Sequence, residues 1–373
     1  MRVAISAESF LPEVNGVTNS VLRVLELLER RGHEALVIAP GPGPDHHGPV
    51  EVVRVPSRPL PMYRSVRVGL GRQEVPEALR RFRPHVVHLA APVLLGHTAA
   101  RVADELGVPA VAVYQTDLPG FARRYHLRMA NPAVWHHLRS IHNRAERTLA
   151  PSTSAAWQLR ANGVRNVAIW PRGVDQQRFD PTRRSAARRR ELLGGQGGDV
   201  LVGYVGRLAT EKRVHLLEHL SSIPGLRLVV VGDGPRARSL RRQLPGAAFL
   251  GVLDGDDLAT TVASLDVFVH TGADETFCQS VQEALAAGVP VVAPAVGGPL
   301  DLVRHGENGY LYPPDDVAQL AGAVARLVAD PGLRERMSRA ARASVRLRTW
   351  ERIGDALLWH YRDARGLREV RAA

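Results

Sequence analysis

The stretch HTGADETFCQSVQEALAAGVPVVAP, residues 270–294, contains the end of one apolar strand, a short helix and the next apolar strand. Gly272 turns the chain after the first strand, and Gly288 with Pro290 marks the end of the helix. A strand, a helix and a strand in this order form the unit from which parallel sheets with helix-covered faces are built. The stretch therefore predicts an α/β fold.

Two acids flank the start of this helix. Thr276 and Gln279 have the spacing of a capping box, which predicts that the helix begins near Phe277. The amides of its first turn have no intrahelical partner and favour an anionic or hydroxyl-rich ligand, and Glu275 and Glu283 lie beside them. A first-turn acid favoured by the helix dipole, together with a solvated Glu on the outer face, explains the pair equally well in isolation.

The same unit repeats along the chain. Apolar runs that alternate with helical patterns begin at residues 2, 34, 50, 85, 108, 167, 200, 226, 265 and 289. A basic helix and a glycine-rich connector interrupt the pattern between residues 181 and 200. We predict two Rossmann-like parallel-sheet domains, at 1–180 and 195–345, facing across a cleft where ligands bind, and a helix at 346–373 that packs back on the first domain.

Composition and charge limit the class of protein. Cys278 is the only cysteine of the 373 residues, so no internal disulfide forms and a reducing compartment is indicated. Glu8 and Pro12 interrupt what would be the apolar core of a signal peptide, and no apolar run has the length of a membrane span. We therefore predict a cytoplasmic protein.

The net charge of +12 favours nucleic acid, an anionic membrane surface or phosphorylated substrates as partners. No recognised nucleic-acid module accompanies the charge, so nucleic-acid binding is not predicted. Lys212 is the only lysine among 49 basic side chains. Either a compact ammonium is needed at this position, or one lysine has survived by chance in an arginine-rich chain.

Basic and glycine residues follow the strands. Arg207 comes directly after one strand and Lys212 begins the next helix, so the two cations can hold a diphosphate, and we expect both side chains to face solvent. Asn15 and Gly16 form a loop that leads into a helix, where backbone can approach a phosphate closely. Basic strand ends and ordinary helix caps are common, so neither motif decides the function alone.

One motif favours a different function. Gly232, Gly234 and Ala237 form a G-x-G-x-x-A between a strand and a helix, with Asp254 and Asp256 at the spacing of a ribose-binding acid. An NAD(P)-dependent oxidoreductase is therefore the alternative, although it leaves the two cations and the two acids unexplained. The aspartates are better explained as an acidic helix start than as a metal site, and no His or Cys cluster has metal-ligand spacing.

Taken together, these motifs resemble the retaining glycosyltransferases of the GT-B architecture, specifically glycosyltransferase family 4, whose E-x7-E element is ETFCQSVQE at 275–283. The segments ESFLPEVNGVTNSV and VYQTDLPGFARRY are most similar to actinobacterial GDP-mannose-dependent α-mannosyltransferases that act on glycolipids. The resemblance implies transfer of a hexose, with mannose from GDP-mannose as the expected donor, to a hydroxyl of a lipid-linked or glycan acceptor. Further segments that carry the resemblance are RGVDQQRF at 172–179, GRLATEK at 206–212, GDGP at 232–235 and GVPVVAPAVGGPLDLVRHGENGYL at 288–311.

The resemblance also implies roles for the acids and for the start of the helix. Glu275 is expected to bind hydroxyls of the donor sugar, and Glu283 to accept from the ribose hydroxyls. The amides of Phe277, Cys278 and Gln279 are expected to lie over the sugar and the phosphate.

The cations and the loops of both domains receive roles in the same way. Arg207 and Lys212 would hold the diphosphate and stabilise the charge of the departing nucleotide, a task that other transferases give to a metal. Asn15 and Gly16 would lie beside the same phosphates, and the loop at Val252 would contact the base. The resemblance therefore implies a nucleotide-sugar donor and neither a metal nor another cofactor.

The chain departs from the family at two positions. Many relatives have Gly where Cys278 stands, and we expect a negative φ that tolerates the side chain. Relatives often have His where Gln115 aligns, which leaves Asp117 or a donor phosphate oxygen to take the acceptor proton. The Arg-rich segment 121–150 is either a docking site for anionic lipid on the inner face of a membrane or a solvated basic helix.

Overall fold

The computed structural model describes residues 1–60, 63–118, 120, 131–194 and 200–372. The chain divides into two compact units, one formed by Met1–Pro171 with Glu351–Ala373 and the other by Arg172–Trp350. Each unit contains a sheet of mainly parallel strands covered by helices. The predicted α/β class is therefore confirmed.

The first unit is built on an eight-stranded sheet with the order β10-β9-β8-β7-β1-β2-β4-β3, and β5 pairs with β6 in a separate antiparallel ribbon. The strands are β1 (Arg2–Ala7), β2 (Glu34–Pro40), β3 (His46–His47), β4 (Val50–Val55), β5 (Arg58–Leu60), β6 (Tyr63–Val68), β7 (Val86–Ala90), β8 (Ala110–Val113), β9 (Arg147–Ala150) and β10 (Val167–Ile169). All neighbours in the large sheet are parallel except β3 and β4. The chain leaves β1 on one side and returns on the other, so the switch point lies between β1 and β7.

Among the described residues before residue 172, the first unit has five helices. They are α1 (Gly16–Arg30), α2 (Glu74–Phe82), α3 (Leu95–Glu105), α4 (Asn131–His142) and α5 (Thr153–Ala161). In α1 the apolar residues recur at helical spacing, and Val21, Val24, Leu25 and Leu28 are buried against the sheet. Burial of such a face, more than helix propensity, stabilises these short helices.

The second unit has a six-stranded parallel sheet with the order β13-β12-β11-β14-β15-β16. Its strands are β11 (Val200–Val205), β12 (Leu226–Val231), β13 (Ala248–Gly251), β14 (Val267–Val269), β15 (Val291–Pro294) and β16 (Gly309–Tyr312). Its helices are α6 (Ala186–Leu193), α7 (Ala237–Gln243), α8 (Gly255–Ala263), α9 (Gln279–Ala286), α10 (Val317–Ala329) and α11 (Pro331–Val345). The strand order reverses between β11 and β14, which places the switch point of this unit there.

The division between the units lies earlier in the chain than predicted. Helix α6, which the sequence pattern assigns to the connector, belongs to the second unit. Arg189 of this helix donates to Asp266 Oδ2 at 2.9 Å, and Leu192 is buried in the second unit's core. Helix α6 therefore packs on the second unit through one buried leucine and one ion pair. The amino-acid composition of the helix does not predict either contact.

The C-terminal helix α12 (Trp350–Ala372) belongs to the first unit from Glu351 onward. Leu357 and Tyr361 are buried in the core beneath β1, and Tyr361 Oη contacts His88 Nδ1 at 2.7 Å. Trp170 Nε1 donates to Ile353 O at 2.8 Å. Among the described residues, no helix combines the length and the apolar character needed to cross a membrane.

Candidate active site

The polar residues of the second unit gather at its switch point. The loop after β11 carries Arg207 and Lys212, and the loop after the neighbouring strand β14 carries Glu275 and Cys278. Because the carboxyl ends of adjacent parallel strands lie at the same edge of the sheet, the two loops meet. Thr271 Oγ1 donates to Lys212 O at 2.6 Å and ties one loop to the other.

Lys212 and Glu275 form the central contact of this site. Lys212 Nζ lies 2.5 Å from Glu275 Oε1. Burial lowers the pKa of Lys212, but the Glu275 carboxylate more than compensates, so the pKa is raised overall. The expectation that the Lys212 side chain faces solvent is wrong, because the carboxylate draws it in and leaves only 28% exposed. Arg207 does face solvent, with 58% of its side chain exposed.

A buried histidine approaches the same carboxylate. His270 follows β14 directly and is 2% exposed. Its Nε2 lies 3.2 Å from Glu275 Oε1, the oxygen that Lys212 also contacts. Burial raises the pKa of Glu275, but the two cations outweigh it and hold the pKa at about 2. The sequence interpretation missed His270, although a histidine at the end of a buried strand and five residues before the acid was a usable signal.

The helix after these residues begins later than predicted. Cys278 has φ +88, in the left-handed region, and α9 starts at Gln279. The N-cap residue is Cys278, which makes no side-chain cap hydrogen bond, so the predicted capping box on Thr276 and the start near Phe277 are wrong. The expected negative φ at Cys278 is wrong as well. A left-handed residue turns the chain sharply into the helix, which is why glycine suits this position and a side chain here costs about 1–2 kcal/mol.

Two glutamines of α9 hold the segment that starts the second unit. Gln282 Nε2 donates to Arg172 O at 3.0 Å, and Gln279 Nε2 donates to Gly173 O at 3.1 Å. A Cβ on Gly173 would lie 2.6 Å from the Trp350 backbone, so only glycine lets this segment pack so closely. The sequence interpretation quoted Arg172 within a family segment and gave it no role.

This packing brings Arg172 into the field of both acids. Burial lowers the pKa of Arg172 to about 10, while the charges of Glu275 and Glu283 act in the opposite direction. Burial raises the pKa of Glu283 to about 7, against the lowering effects of Gln279, Arg178 and Arg172. The two acids of the E-x7-E element therefore differ in charge state, since Glu275 is ionised at neutral pH and Glu283 titrates there.

The G-x-G-x-x-A motif has a packing role in this structure. A Cβ on Gly232 would lie 2.0 Å from Gly206 O, and one on Gly234 would lie 2.5 Å from Leu208 O. Arg236 N donates to Leu208 O at 2.8 Å. The glycines thus allow the loop after β12 to pack, backbone to backbone, on the loop that carries Arg207.

The position assigned to the base also lies at this edge. Val252 follows β13 and is 74% exposed, and Gly232 N donates to Gly251 O at 2.6 Å beside it. An exposed valine at the end of an edge strand can contact a flat ring without a specific hydrogen bond of its own. Its role as a base contact stays a prediction.

The remaining site predictions lie in the first unit. Asn15 caps α1, with its Oδ1 accepting from Val17 N at 2.9 Å and Thr18 N at 3.0 Å, and Gly16 is the first residue of that helix. Asp117 Oδ1 accepts from Gly120 N at 2.9 Å. Residues 121–130 of the Arg-rich segment lie outside the described residues.

One group of side chains has metal-ligand chemistry. The ligand atoms of His270, Glu275 and Cys278 all lie within 4.8 Å of one another, a set that linear spacing does not reveal. A cation here would have to displace the ammonium of Lys212 from Glu275. It would also have to displace a proton from His270, whose pKa Cys278 and Glu275 raise to about 10 against the lowering effect of burial. The donor set therefore fits an ion-paired cluster better than a metal site.

Comparison with known proteins assigns the chain to a family. The model of Glycosyltransferase Family 4 matches residues 14–178, and the model of glycosyl transferases group 1 matches residues 188–344. A GDP-mannose-dependent alpha-mannosyltransferase of Mycobacterium tuberculosis is 50% identical over 380 residues, which covers 100% of this chain and 99% of that protein. A protein of the same name from Corynebacterium glutamicum is 47% identical over 368 residues, which covers 97% of this chain and 89% of that protein.

Solved structures give the same fold. Anabaena HepE in complex with UDP superposes with a TM-score of 0.79 at 21% identity, over 97% of this chain and 100% of that chain. The predicted GT-B architecture is confirmed, and nothing in the comparisons supports the oxidoreductase alternative. The chain therefore belongs to glycosyltransferase family 4 and is a glycosyltransferase with the GT-B fold.

Proposed function

We propose that this glycosyltransferase moves mannose from GDP-mannose to a hydroxyl of a lipid-linked acceptor, retains the α configuration and needs no metal. The observation that carries the proposal is the contact of Lys212 with Glu275 at the switch point, with Arg207 exposed beside it. Full-length relatives at 47% and 50% identity that are named GDP-mannose-dependent alpha-mannosyltransferases support the choice of donor.

The cations of the second unit would bind the donor diphosphate. Arg207 presents an exposed guanidinium and Lys212 an ammonium, and each can make charge-assisted hydrogen bonds to phosphate oxygens. Their fixed positive charge would stabilise the negative charge that grows on the departing diphosphate. In other transferases a divalent metal supplies this charge, and here two side chains replace it.

The acids would bind the sugars of the donor. Glu275 is ionised, and its Oε1 is fixed by Lys212 and His270, so its second oxygen can accept from a hydroxyl of the transferred sugar. Glu283 lies beside Arg172 and would accept from the ribose hydroxyls. Two rigid acids of different charge state thus orient the two sugar rings of one donor.

The transfer step itself needs no protein nucleophile. The bond from the anomeric carbon to the diphosphate oxygen breaks, and the bond to the acceptor oxygen forms on the same face of the sugar. The acceptor hydroxyl proton passes to an oxygen of the departing diphosphate, which leaves with both electrons of the broken bond. Asp117, whose Oδ1 accepts from Gly120 N at 2.9 Å, is the protein group that would otherwise take the proton.

The acceptor would be presented at a membrane surface. The net charge of +12 and the Arg-rich segment 121–150 support attraction to anionic lipid. Vesicles of phosphatidylglycerol should bind the protein at low salt and release it as salt rises, and phosphatidylcholine vesicles should not bind it. Equal binding to both kinds of vesicle would contradict the proposed attraction of the protein to anionic lipid.

A thermal-shift panel in EDTA tests the donor. A ligand that binds only the folded state stabilises it by about 2.7 kcal/mol at 100 times its Kd. GDP-mannose and GDP should raise the melting temperature, UDP-glucose should raise it less, and Mg²⁺ should add nothing. A shift with UDP-glucose alone would contradict the GDP-mannose assignment, and a shift that requires Mg²⁺ would contradict the metal-free site.

A further inference from the structure

We infer that His270 is a positioning residue whose charged imidazole binds Glu275 from beneath and thereby leaves the Lys212 ammonium available to the donor diphosphate. This inference rests on the proposed function for the identity of the donor. It concerns a residue to which no family motif quoted above gives a role.

The geometry places two nitrogen groups on one carboxylate oxygen. Glu275 Oε1 lies 2.5 Å from Lys212 Nζ and 3.2 Å from His270 Nε2. Gly272 makes the approach possible, because a Cβ there would lie 3.0 Å from both His270 Nε2 and Glu275 Oε1. The histidine and the acid therefore meet over a residue that has no side chain.

The structure also fixes the ring of His270. It is buried, and it lies nearly parallel to the Tyr204 ring, with an interplanar angle of 6° and centroids 6.5 Å apart. Tyr312 Oη donates to His270 O at 3.2 Å. A ring held at both its face and its backbone cannot swing out to contact substrate, so any effect on the reaction passes through Glu275.

Of the groups around the ring, within the part of the chain that the structure describes, Glu275 and Cys278 favour its charged form. Glu275 and Cys278 come from the loop that follows, Lys212 from the loop after β11, Tyr204 from β11 and Tyr312 from β16. Burial lowers the pKa of His270, but Cys278 and Glu275 raise it to about 10. The charged imidazole is thus present at neutral pH and is lost only as the pH rises through about 10.

This charge changes what Lys212 can do. With a neutral imidazole, Lys212 and Glu275 would satisfy each other, and the pair would present no net charge to an anion. With the imidazolium present, Glu275 Oε1 faces two cations, so this carboxylate compensates the charge of Lys212 only in part, and the exposed Arg207 lies on the same loop as Lys212. A diphosphate that enters the site can then bind the Lys212 ammonium, because the Glu275 carboxylate also pairs with His270.

The test compares His270→Gln with His215→Gln. Gln keeps a donor near the position of Nε2 and removes the charge, whereas His215 is exposed in the same unit and serves as the matched control. We expect His270→Gln to weaken GDP-mannose binding by about tenfold, because Glu275 then holds the Lys212 ammonium more strongly, and His215→Gln to leave it unchanged. Calorimetry at fixed salt measures both variants.

A second readout needs no donor. Because Lys212 is the only lysine, competitive acetylation followed by peptide mass analysis reports its pKa separately from that of the N-terminus. We expect the Lys212 pKa to rise in His270→Gln, since Glu275 then pairs with Lys212 alone; a role confined to packing would not move it. An unchanged Lys212 pKa in a folded variant would overturn the inference, whatever the donor.

The wild-type protein supplies a third readout if His270→Gln does not fold. Imidazole ¹⁵N spectra should show one histidine that stays protonated at pH 8, and that signal should be absent from His270→Asn. If every histidine is neutral at pH 8, the inference is wrong. If wild type binds no nucleotide sugar but Lys212 shifts as expected, the proposed function fails and the role of His270 toward Glu275 stands.

Discussion

At the scale of single residues, the backbone of Cys278 decides the shape of the donor-side loop. Its φ of +88 is the turn that brings the chain from Glu275 into α9. Family resemblance pointed to glycine at this position, but the amino-acid pattern gave no indication of the left-handed conformation, because a sequence reports residue types and not φ. The presence of a side chain here is therefore a strained feature of the site.

We expect Cys278→Gly to be more stable than Cys278→Ala by about 1 kcal/mol, because both variants lose the sulfur and only alanine keeps the left-handed penalty. Urea unfolding of the two variants measures the difference. At an ordinary negative φ the order reverses, and alanine is more stable by about 0.4–1 kcal/mol. The reversed order would therefore show that the loop does not have the conformation described.

Arg207 and Lys212 should both be needed for turnover. We expect Arg207→Ala and Lys212→Ala each to lower kcat/KM for the donor by about tenfold to a hundredfold, the value of one charge-assisted contact. Arg339→Ala is the control, since Arg339 is exposed on α11 and pairs only with Glu335 in the described contacts. If Arg207→Ala or Lys212→Ala turns over the donor as fast as the wild-type protein, the replaced side chain does not bind the donor diphosphate.

Ionised Glu283 should lower the stability of the folded protein and strengthen donor binding. Its pKa is raised from 4.5 to about 7, so its stabilising contribution is complete below about pH 4.5 and is lost as the pH rises through 7. We expect Glu283→Gln, which cannot ionise, to be more stable than wild type by about 1–3 kcal/mol at pH 8 and no more stable at pH 4.5. The same variant should bind GDP-mannose more weakly. A stability difference that does not depend on pH would argue against the raised pKa.

At the scale of elements, α9 acts as a clamp on the segment that carries Arg172. Gln282 is buried, and its Nε2 donates to the Arg172 carbonyl oxygen at 3.0 Å. We expect Gln282→Leu to cost about 1–3 kcal/mol of stability, because it removes a buried hydrogen bond, and to weaken donor binding by moving Arg172. Gln319→Leu on the exposed face of α10 should change stability by less than about 0.5 kcal/mol. Equal stabilities of the two variants in denaturant would contradict the clamp.

The strands were predictable where they are long and buried, and less so at the sheet edges. The runs in β1, β2, β11 and β12 are mainly apolar over six or seven residues and were recognised, whereas β3, β5, β6, β9, β13 and β16 were missed. Two of the missed strands, β13 and β16, lie at the edges of the second sheet, where one neighbour supplies all the pairing. The predicted helix after β11 is instead a pair of 3-10 segments, Thr210–Lys212 and Val214–Leu220, joined at Arg213 with φ +49.

The residues of the candidate site that lie in recognisable sequence motifs were predictable. Glu275, Arg207 and Lys212 were recognised because family motifs contain them. His270 was missed because its role depends on a contact across a glycine, and Arg172 because α9 holds it through its backbone. Contacts of this kind arise from tertiary packing, which a single sequence does not display.

At the scale of the whole molecule, the chain is two α/β units, and the residues proposed to bind the donor lie mainly in the second. That unit supplies three cations and two acids at or beside its switch point, namely Arg172, Arg207 and Lys212 with Glu275 and Glu283. The first unit supplies Asn15, Gly16 and Asp117, whose roles stay predictions. The central claim is that side-chain cations, in place of a metal, stabilise the departing diphosphate in a reaction that retains the configuration of the sugar.

The most direct test is the anomeric configuration of the product made without metal. The protein is incubated in EDTA with GDP-mannose and a membrane lipid extract, and the glycolipid formed is analysed by mass and by one-bond C1–H1 coupling. We expect an α-linked mannosyl lipid, formed at a rate that added Mg²⁺ does not raise and that Lys212→Ala lowers by about tenfold or more. A β-linked product, or transfer that appears only when Mg²⁺ is added, would contradict the central claim.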